Sequence, residues 1–307
     1  MVTGAPPPGL FERARLLRDG LITPVGTRDA ATVALLRDAP GGPEVYLLRR
    51  VRGMAFAGGM YVFPGGSVDP ADAVPAEVGP AEVGPAEVGR AGRFDSAPDR
   101  TWAGPSPARW AADFSCDEPL ARALVCAAVR ETFEESGVLL AGAAPVAGAP
   151  STGPLPGVLA DVSSDEWEAE RAALEAREQS LSELLVRRSL VLRADLLRPL
   201  AHWITPEVEA KRFDTLYFVA RMPIGQVCRE VGGEADQRVW VRPEEALTDG
   251  LRMLPPTAVA LRDLAEHADV DSALAAVRTI VAVLPKLVSG PDDQVAFLLP
   301  GDPGYPG

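Results

Sequence analysis

The sequence predicts an α/β fold of the mixed-sheet, α+β kind, and three observations carry that expectation. Apolar, β-branched segments come early and return late, and helix-forming stretches lie between them. The order β-β-β, insert, α, helical insert, β-β-α lacks the regular βαβ alternation of a doubly wound fold.

The first strands are "ATVALLRD" (31–38) and "EVYLLRR" (44–50), joined by the hairpin-like "APGGP". "MYVFPGG" (60–66) is a third short strand running into a glycine turn. A pentapeptide then repeats three times, "PAEVGPAEVGPAEVG" (75–89). Proline and glycine in every copy break helix and strand alike, and five residues are too few for a solenoid repeat, so this reads as a surface insert without a catalytic role. Low complexity continues to about Pro107. In "SCDEPLARALVCAAVRETFEESG" the pattern changes to a strong helix. Ser115 and Glu118 have capping-box spacing, Asp117 is a competing N-cap, and Gly137 stands where a C-terminal glycine cap belongs.

Residues 141–157 read as loop. "SSDEWEAERAALEAREQSLSELLVRR" (163–188) reads as one long or two shorter amphipathic helices, with Trp167, Leu174, Leu181, Leu184 and Leu185 as apolar positions. Strands return in "FDTLYFVARM" (213–222) and "QRVWVRP" (237–243). A helical turn at "PEEAL", a helix in "PPTAVALRDLAEHA" (255–268) and a strand in "QVAFLLP" (294–300) complete the chain. Residues 1–307 read as one domain, with a core at about 28–72, 116–140 and 200–270, a low-complexity insert at about 73–115 and a helical insert at about 160–195.

A formal net charge of −13 repels nucleic-acid backbones and anionic lipid, so neither nucleic acid nor membrane is expected as a partner. A small phosphorylated substrate stays compatible if a divalent metal supplies local positive charge. Cys116, Cys126 and Cys228 form no CxxC pair, and with only His202 and His267 a histidine-rich metal centre is not expected. "MVTGAPPPGLFERARLLRDG" lacks the apolar core of a signal peptide, and no apolar run reaches the roughly 20 residues of a membrane helix. The expectation is a cytoplasmic protein; the sequence leaves a homo-oligomer open.

Within "VRETFEESGV", Glu131, Glu134 and Glu135 are spaced i, i+3, i+4 and share one helix face. Three carboxylates on one face repel each other and gain little as plain surface residues. They make sense around a hard divalent cation, because Mg²⁺ and Mn²⁺ favour oxygen ligands. Arg130 is adjacent to Glu131 and four residues before Glu134, close enough to hold a carboxylate by a charge-assisted bond. Cys126, Val129 and Phe133 fall on the opposite face, so the helix is expected to have a wet acidic side and a dry apolar one. A solvated glutamate-rich face is the bland reading. The full pattern R-E-x-x-E-E-x-G argues against it, because five specified residues should coincide on the order of once in a few thousand chains.

The pattern resembles the Nudix box, G-x5-E-x7-R-E-U-x-E-E-x-G-U, where U is aliphatic. Gly66 matches the opening glycine, and Arg130, Glu131, Glu134, Glu135, Gly137 and Val138 match the second half. Asp72 replaces the first glutamate, Thr132 replaces an aliphatic residue, and 57 residues separate Asp72 from Arg130 where the pattern has seven. Loop-closure entropy grows only logarithmically, so a flexible excursion between ends that lie close together leaves one interrupted site. A box split here resembles the coenzyme A diphosphatase branch of the Nudix hydrolases. "RDAATVALLRD", "RGMAFAGGMYVFPGGSVDPAD", "HWITP", "RFDTLYFVA", "VWVRPEEAL" and "LPPT" carry the same likeness, from about residue 28 to 265.

The resemblance implies an α/β/α sandwich with a disordered insert in the box and an extra helical insert. It implies attack of water on a small-molecule diphosphate, assisted by Mg²⁺ or Mn²⁺. Arg130, Glu131, Glu134 and Glu135 are the implied catalytic set; the Gly65 carbonyl, Glu131, Glu134 and Glu135 are the implied metal ligands. Arg49, Arg50, Arg52, Gly66 and Glu234 are substrate-binding candidates, though surface arginines and solvated turn acids look alike in sequence. Gly59, Phe63, Pro64, Gly65 and Gly66 fit the coenzyme A signature of related diphosphatases, while Ala55 stands where that signature has arginine. Coenzyme A or acyl-CoA, split to 3′,5′-ADP and (acyl-)4′-phosphopantetheine, is the implied substrate. ADP-ribose, NADH and nucleotide sugars are the enzymatic alternatives, and a non-catalytic regulator of the same fold is the other.

Overall fold

The computed structural model describes residues 8–54, 57–75, 101–143, 157–231, 233–289 and 295–306. The pentapeptide repeat beyond Pro75, and Ala55, lie outside them. The described residues fall into two units: one from Met1–Val68, Leu197–Met222 and Arg229–Gly307, the other from Asp69–Leu196 and Pro223–Cys228.

An eight-stranded mixed sheet organises the first unit. Its order is Ala235–Val241, Gly42–Arg50, Thr27–Ala39, Arg212–Arg221, Leu197–Ile204 and Ala282–Val283. Two short strands branch from it: Tyr61–Val62 pairs with Gly42–Arg50, and Gly65–Ser67 pairs with Thr27–Ala39. The central strand Thr27–Ala39 runs parallel to Arg212–Arg221, in register from Thr27 opposite Arg212 to Leu36 opposite Arg221. Ala30, Ala31 and Val33–Leu36 are all buried, as suits a strand covered on both faces. The hairpin to Gly42–Arg50 turns through Gly41 and Gly42 at φ 93° and 132°, a region that favours glycine. Helices Pro243–Thr248, Pro255–Ala265 and Val270–Ala275 contribute Ala246, Leu261, Leu264 and Val270 to a cluster with Leu36, Val45, Leu47 and Val219 of the sheet.

Several elements of this unit escape the sequence patterns, among them Val270–Ala275, Ala282–Val283 and Lys286–Ser289. Pro8–Arg18 is a helix within the proline-rich start, burying Leu10 and donating from Arg13 Nε to the Val208 carbonyl at 2.8 Å. Leu197–Ile204 is a strand interrupted by Pro199, where the ladder shifts register before Ala201 because proline offers no N–H. Val295–Leu298 pairs with Lys286–Ser289 as a separate two-stranded sheet.

The second unit centres on helix Glu118–Ser136. The competition between its two candidate caps resolves physically. Asp117 accepts from the Leu120 N–H at 2.8 Å, while Ser115 ends the preceding helix Pro107–Phe114 in the left-handed region at φ 56°. That preceding helix, with Trp110 and Phe114 buried and their rings 5.4 Å apart, and strand Trp102–Ala103 are ordered parts of the stretch read as low-complexity. Trp102–Ala103, Val191–Arg193 and Ala141–Gly142 form a three-stranded sheet, so the stretch read as loop from 141 opens with a strand. The helical insert is two helices, Asp165–Glu175 and Leu181–Arg187. Ser180 starts the second through a capping box with Glu183.

Candidate active site

Helix Glu118–Ser136 has Pro119 in its first turn and ends at Gly137, which adopts φ 71° and donates its N–H to the Phe133 carbonyl. Cys126, Val129 and Phe133 are buried, and Phe133 packs edge-on against Trp167 at 6.4 Å. Thr132, at a position where the family pattern has an aliphatic residue, is fully buried; its hydroxyl donates to the Ala128 carbonyl at 2.7 Å. The polar atom is thereby satisfied inside an apolar setting.

The acidic face is not wet. The side chains of Glu131 and Glu134 are only 14% and 11% exposed, and both turn onto Arg130. Arg130 Nη1 donates to Glu131 Oε1 at 2.9 Å and to both carboxylate oxygens of Glu134 at 3.2 Å. The other edge of the guanidinium grips Asp72, Nε to Oδ1 at 3.1 Å and Nη2 to Oδ2 at 3.0 Å. Asp72 is buried and also accepts from the Asp69 N–H at 2.8 Å, closing a capping box around the short helical turn Pro70–Ala73. Glu135 is half-buried on the same helix. Arg171 of the helical insert donates to the Glu134 carbonyl at 3.0 Å, tying the insert to the glutamate helix.

Three carboxylates around one guanidinium leave excess negative charge in an enclosed place. Burial pushes Glu131 up to about 7 against the opposing charge of Arg130, and Glu134 adds to the rise. Burial likewise raises Glu134 and Asp72, with Arg130 pulling the other way. Burial works against the charge on Arg130, but its bond to Asp72 and the fields of Glu131, Asp72 and Glu134 outweigh it and hold the guanidinium protonated. A hard divalent cation fits this donor set, since every donor is a carboxylate oxygen and the excess charge is negative. Among the described residues no three acidic, thiol or imidazole groups already converge on one point.

The remaining candidates lie in the first unit. Gly65 and Gly66 pair with Thr32 and Ala31 of the central strand. The preceding carbonyl, Pro64 O, accepts from Thr32 Oγ1 at 2.6 Å and from Val33 N at 2.9 Å. Arg50 Nη2 donates to Glu234 at 3.1 Å, so these two substrate-binding candidates meet. Arg49 Nε donates at 2.7 Å to Asp236, which carries no motif signal in the sequence, and Arg52 is exposed. His202 bonds Asp214 within the sheet, consistent with a structural role.

Solved Nudix structures align with most of this chain. A Nudix hydrolase from Alicyclobacillus acidocaldarius is 26% identical over 83% of this chain and 98% of its own, with a TM-score of 0.60. The Nudix domain of Shewanella oneidensis NrtR, solved with ADP-ribose, is 12% identical over 81% and 96%, with a TM-score of 0.36. A MutT protein from Bacillus halodurans is 10% identical over 90% and 99%, with a TM-score of 0.37. Among the described residues no helix is long and apolar enough to cross a membrane. With residues 27–253 of 307 matching the NUDT19 Nudix domain model, the chain belongs to the Nudix hydrolases and is a pyrophosphohydrolase.

Proposed function

We propose that this Nudix enzyme hydrolyses the diphosphate of coenzyme A or acyl-CoA, releasing 3′,5′-ADP and (acyl-)4′-phosphopantetheine. The contact between Asp72 and Arg130 across the interruption carries the reading, since a box split at this position is the feature shared with the coenzyme A diphosphatase branch. Glu131, Glu134 and Glu135 would hold Mg²⁺ or Mn²⁺, which when bound supplies charge neutralisation for the diphosphate and a more acidic water. Where Glu131 serves as base in place of ligand, it accepts the proton that the attacking water loses as its oxygen bonds phosphorus and the P–O–P bridge breaks, the leaving phosphate keeping the bridging oxygen. Arg130 positions the carboxylates, and Asp72 positions Arg130.

The test incubates the protein with Mg²⁺ or Mn²⁺ and coenzyme A, acyl-CoA, ADP-ribose, NADH or nucleotide sugars, beside Glu135→Gln, and resolves products by mass. Metal-dependent release of 3′,5′-ADP, lost in the variant, is expected. Cleavage confined to another member of the panel would remove coenzyme A from the reading and leave the hydrolytic chemistry in place.

A further inference from the structure

A cleft of about 720 Å³ opens in the second unit, with Asp72 and Arg130 among its lining residues and the helical insert along its wall. Its volume lies in the range of small-molecule sites. We infer that this cleft receives the phosphopantetheine arm of the substrate, which makes the helical insert the specificity element of the enzyme. The inference rests on the diphosphatase reading above and adds which part of the substrate goes where.

Adjacency comes first. A diphosphate reacting beside the Arg130 cluster must send its two arms in different directions, and Arg130 and Asp72 of that cluster line the cleft. The lining then decides which arm enters. Among the described residues that form it, none is aromatic, so a purine or nicotinamide ring finds no face to stack on. Val74, Leu174 and Val186 instead offer a smooth aliphatic wall, suited to the dimethyl and methylene groups of a flexible chain.

Two polar groups match the amides of such a chain. Arg177, whose side chain is 78% exposed, reaches Asp69 only at 3.6 Å, longer than a hydrogen bond, so its N–H donors can turn to an amide carbonyl. Ser182 Oγ donates to the Val74 carbonyl at 3.2 Å and keeps its lone pairs for an amide N–H. Two other polar side chains of the wall serve the insert itself. Glu183 caps Ser180, and Gln179 bonds Glu170 and Arg187.

Isothermal titration of the full-length protein with 4′-phosphopantetheine tests this directly, with ADP-ribose as the comparison ligand. The wild type should bind the arm. Val186→Trp, which fills the cleft, should weaken it at least tenfold, and Arg177→Glu, at an exposed position that tolerates change, at least threefold. ADP-ribose affinity should stay within twofold in both. No binding of 4′-phosphopantetheine to the wild type, or equal binding by all three proteins, overturns the inference. The two proposals fail separately. Arm binding with no cleavage of coenzyme A sinks the diphosphatase reading alone, whereas coenzyme A cleavage with an unchanged KM in both variants sinks the cleft assignment alone.

Discussion

Asp72 and Arg130 stand 58 positions apart in the chain and meet as a two-pronged ion pair, with the Asp72 side chain only 2% exposed. Parallel N–H···O bonds of this kind fix both planes at once. The interruption of the motif is therefore closed at its base. The shorter aspartate reaches the arginine because the capping box of Pro70–Ala73 holds its backbone in place. Arg130, in turn, is what keeps Glu131 and Glu134 from repelling each other on the helix.

Asp72→Asn should destabilise the fold by about 3 kcal/mol, the low end for breaking a buried ion pair, because Glu131 and Glu134 still neutralise Arg130. Since Asp72 acts through Arg130, kcat should fall while KM moves little. Urea unfolding and steady-state kinetics check both parts. A stability change under about 1 kcal/mol would show that the pair does not anchor the arginine.

Stability should also depend on pH through Glu131. Its folded value, about 7, lies above its ordinary value of 4.5, so the native state holds the proton more tightly than the unfolded chain. The resulting stabilisation is complete below about pH 4.5 and is lost as pH rises through 7, on the order of 3 kcal/mol in all. Without divalent ion, unfolding free energy measured from pH 5 to 8 should drop more steeply for the wild type than for Glu131→Gln. Added Mn²⁺ should flatten the wild-type slope. Parallel slopes for the two proteins would mean that Glu131 is ordinary in the folded state.

The glutamate helix was legible because its caps and its i, i+3, i+4 carboxylates are local in sequence, and the hairpin because adjacent Gly41 and Gly42 announce a turn. What could not be read depends on distant groups. Nothing in "RETFEESGV" says that the acidic face is enclosed, since Asp72 lies 58 positions away and Arg171 37. Prolines hid two real elements, the helix Pro8–Arg18 and the strand Leu197–Ile204, because each places the ring where it is tolerated, at a helix start and at a register shift. Asp236 carries no sequence signal, since it meets Arg49 from the irregularity between Ala235 and Gln237, a feature of strand pairing.

Thr132→Val should leave stability within about 1 kcal/mol of the wild type. The hydroxyl it removes bonds only the Ala128 carbonyl, which lies within the helix ladder, so no buried group loses its sole partner. Activity should stay within threefold, since Arg130, Glu131 and Glu134 keep their places. Denaturation with a parallel rate measurement decides it. A loss above about 2 kcal/mol would mean that the hydroxyl makes a contact the helix needs.

Gly65 is where a methyl group cannot fit. A Cβ there would lie 2.5 Å from the Ala31 carbonyl oxygen and 2.5 Å from Thr32 Cβ, and both atoms belong to the central strand that Gly65 pairs with. Neither can give way without moving the strand, so Gly65→Ala should destabilise by about 3 kcal/mol, the upper end of an overpacking penalty. Gly26 is the control, with nothing within 4 Å of its would-be Cβ, and Gly26→Ala should change stability by less than about 0.5 kcal/mol. Paired thermal and urea unfolding of the two variants separates the steric effect from a general intolerance of alanine. If both variants unfold like the wild type, the approach of Gly65 to the central strand is looser than the geometry indicates, and a glycine at this position is not required for packing.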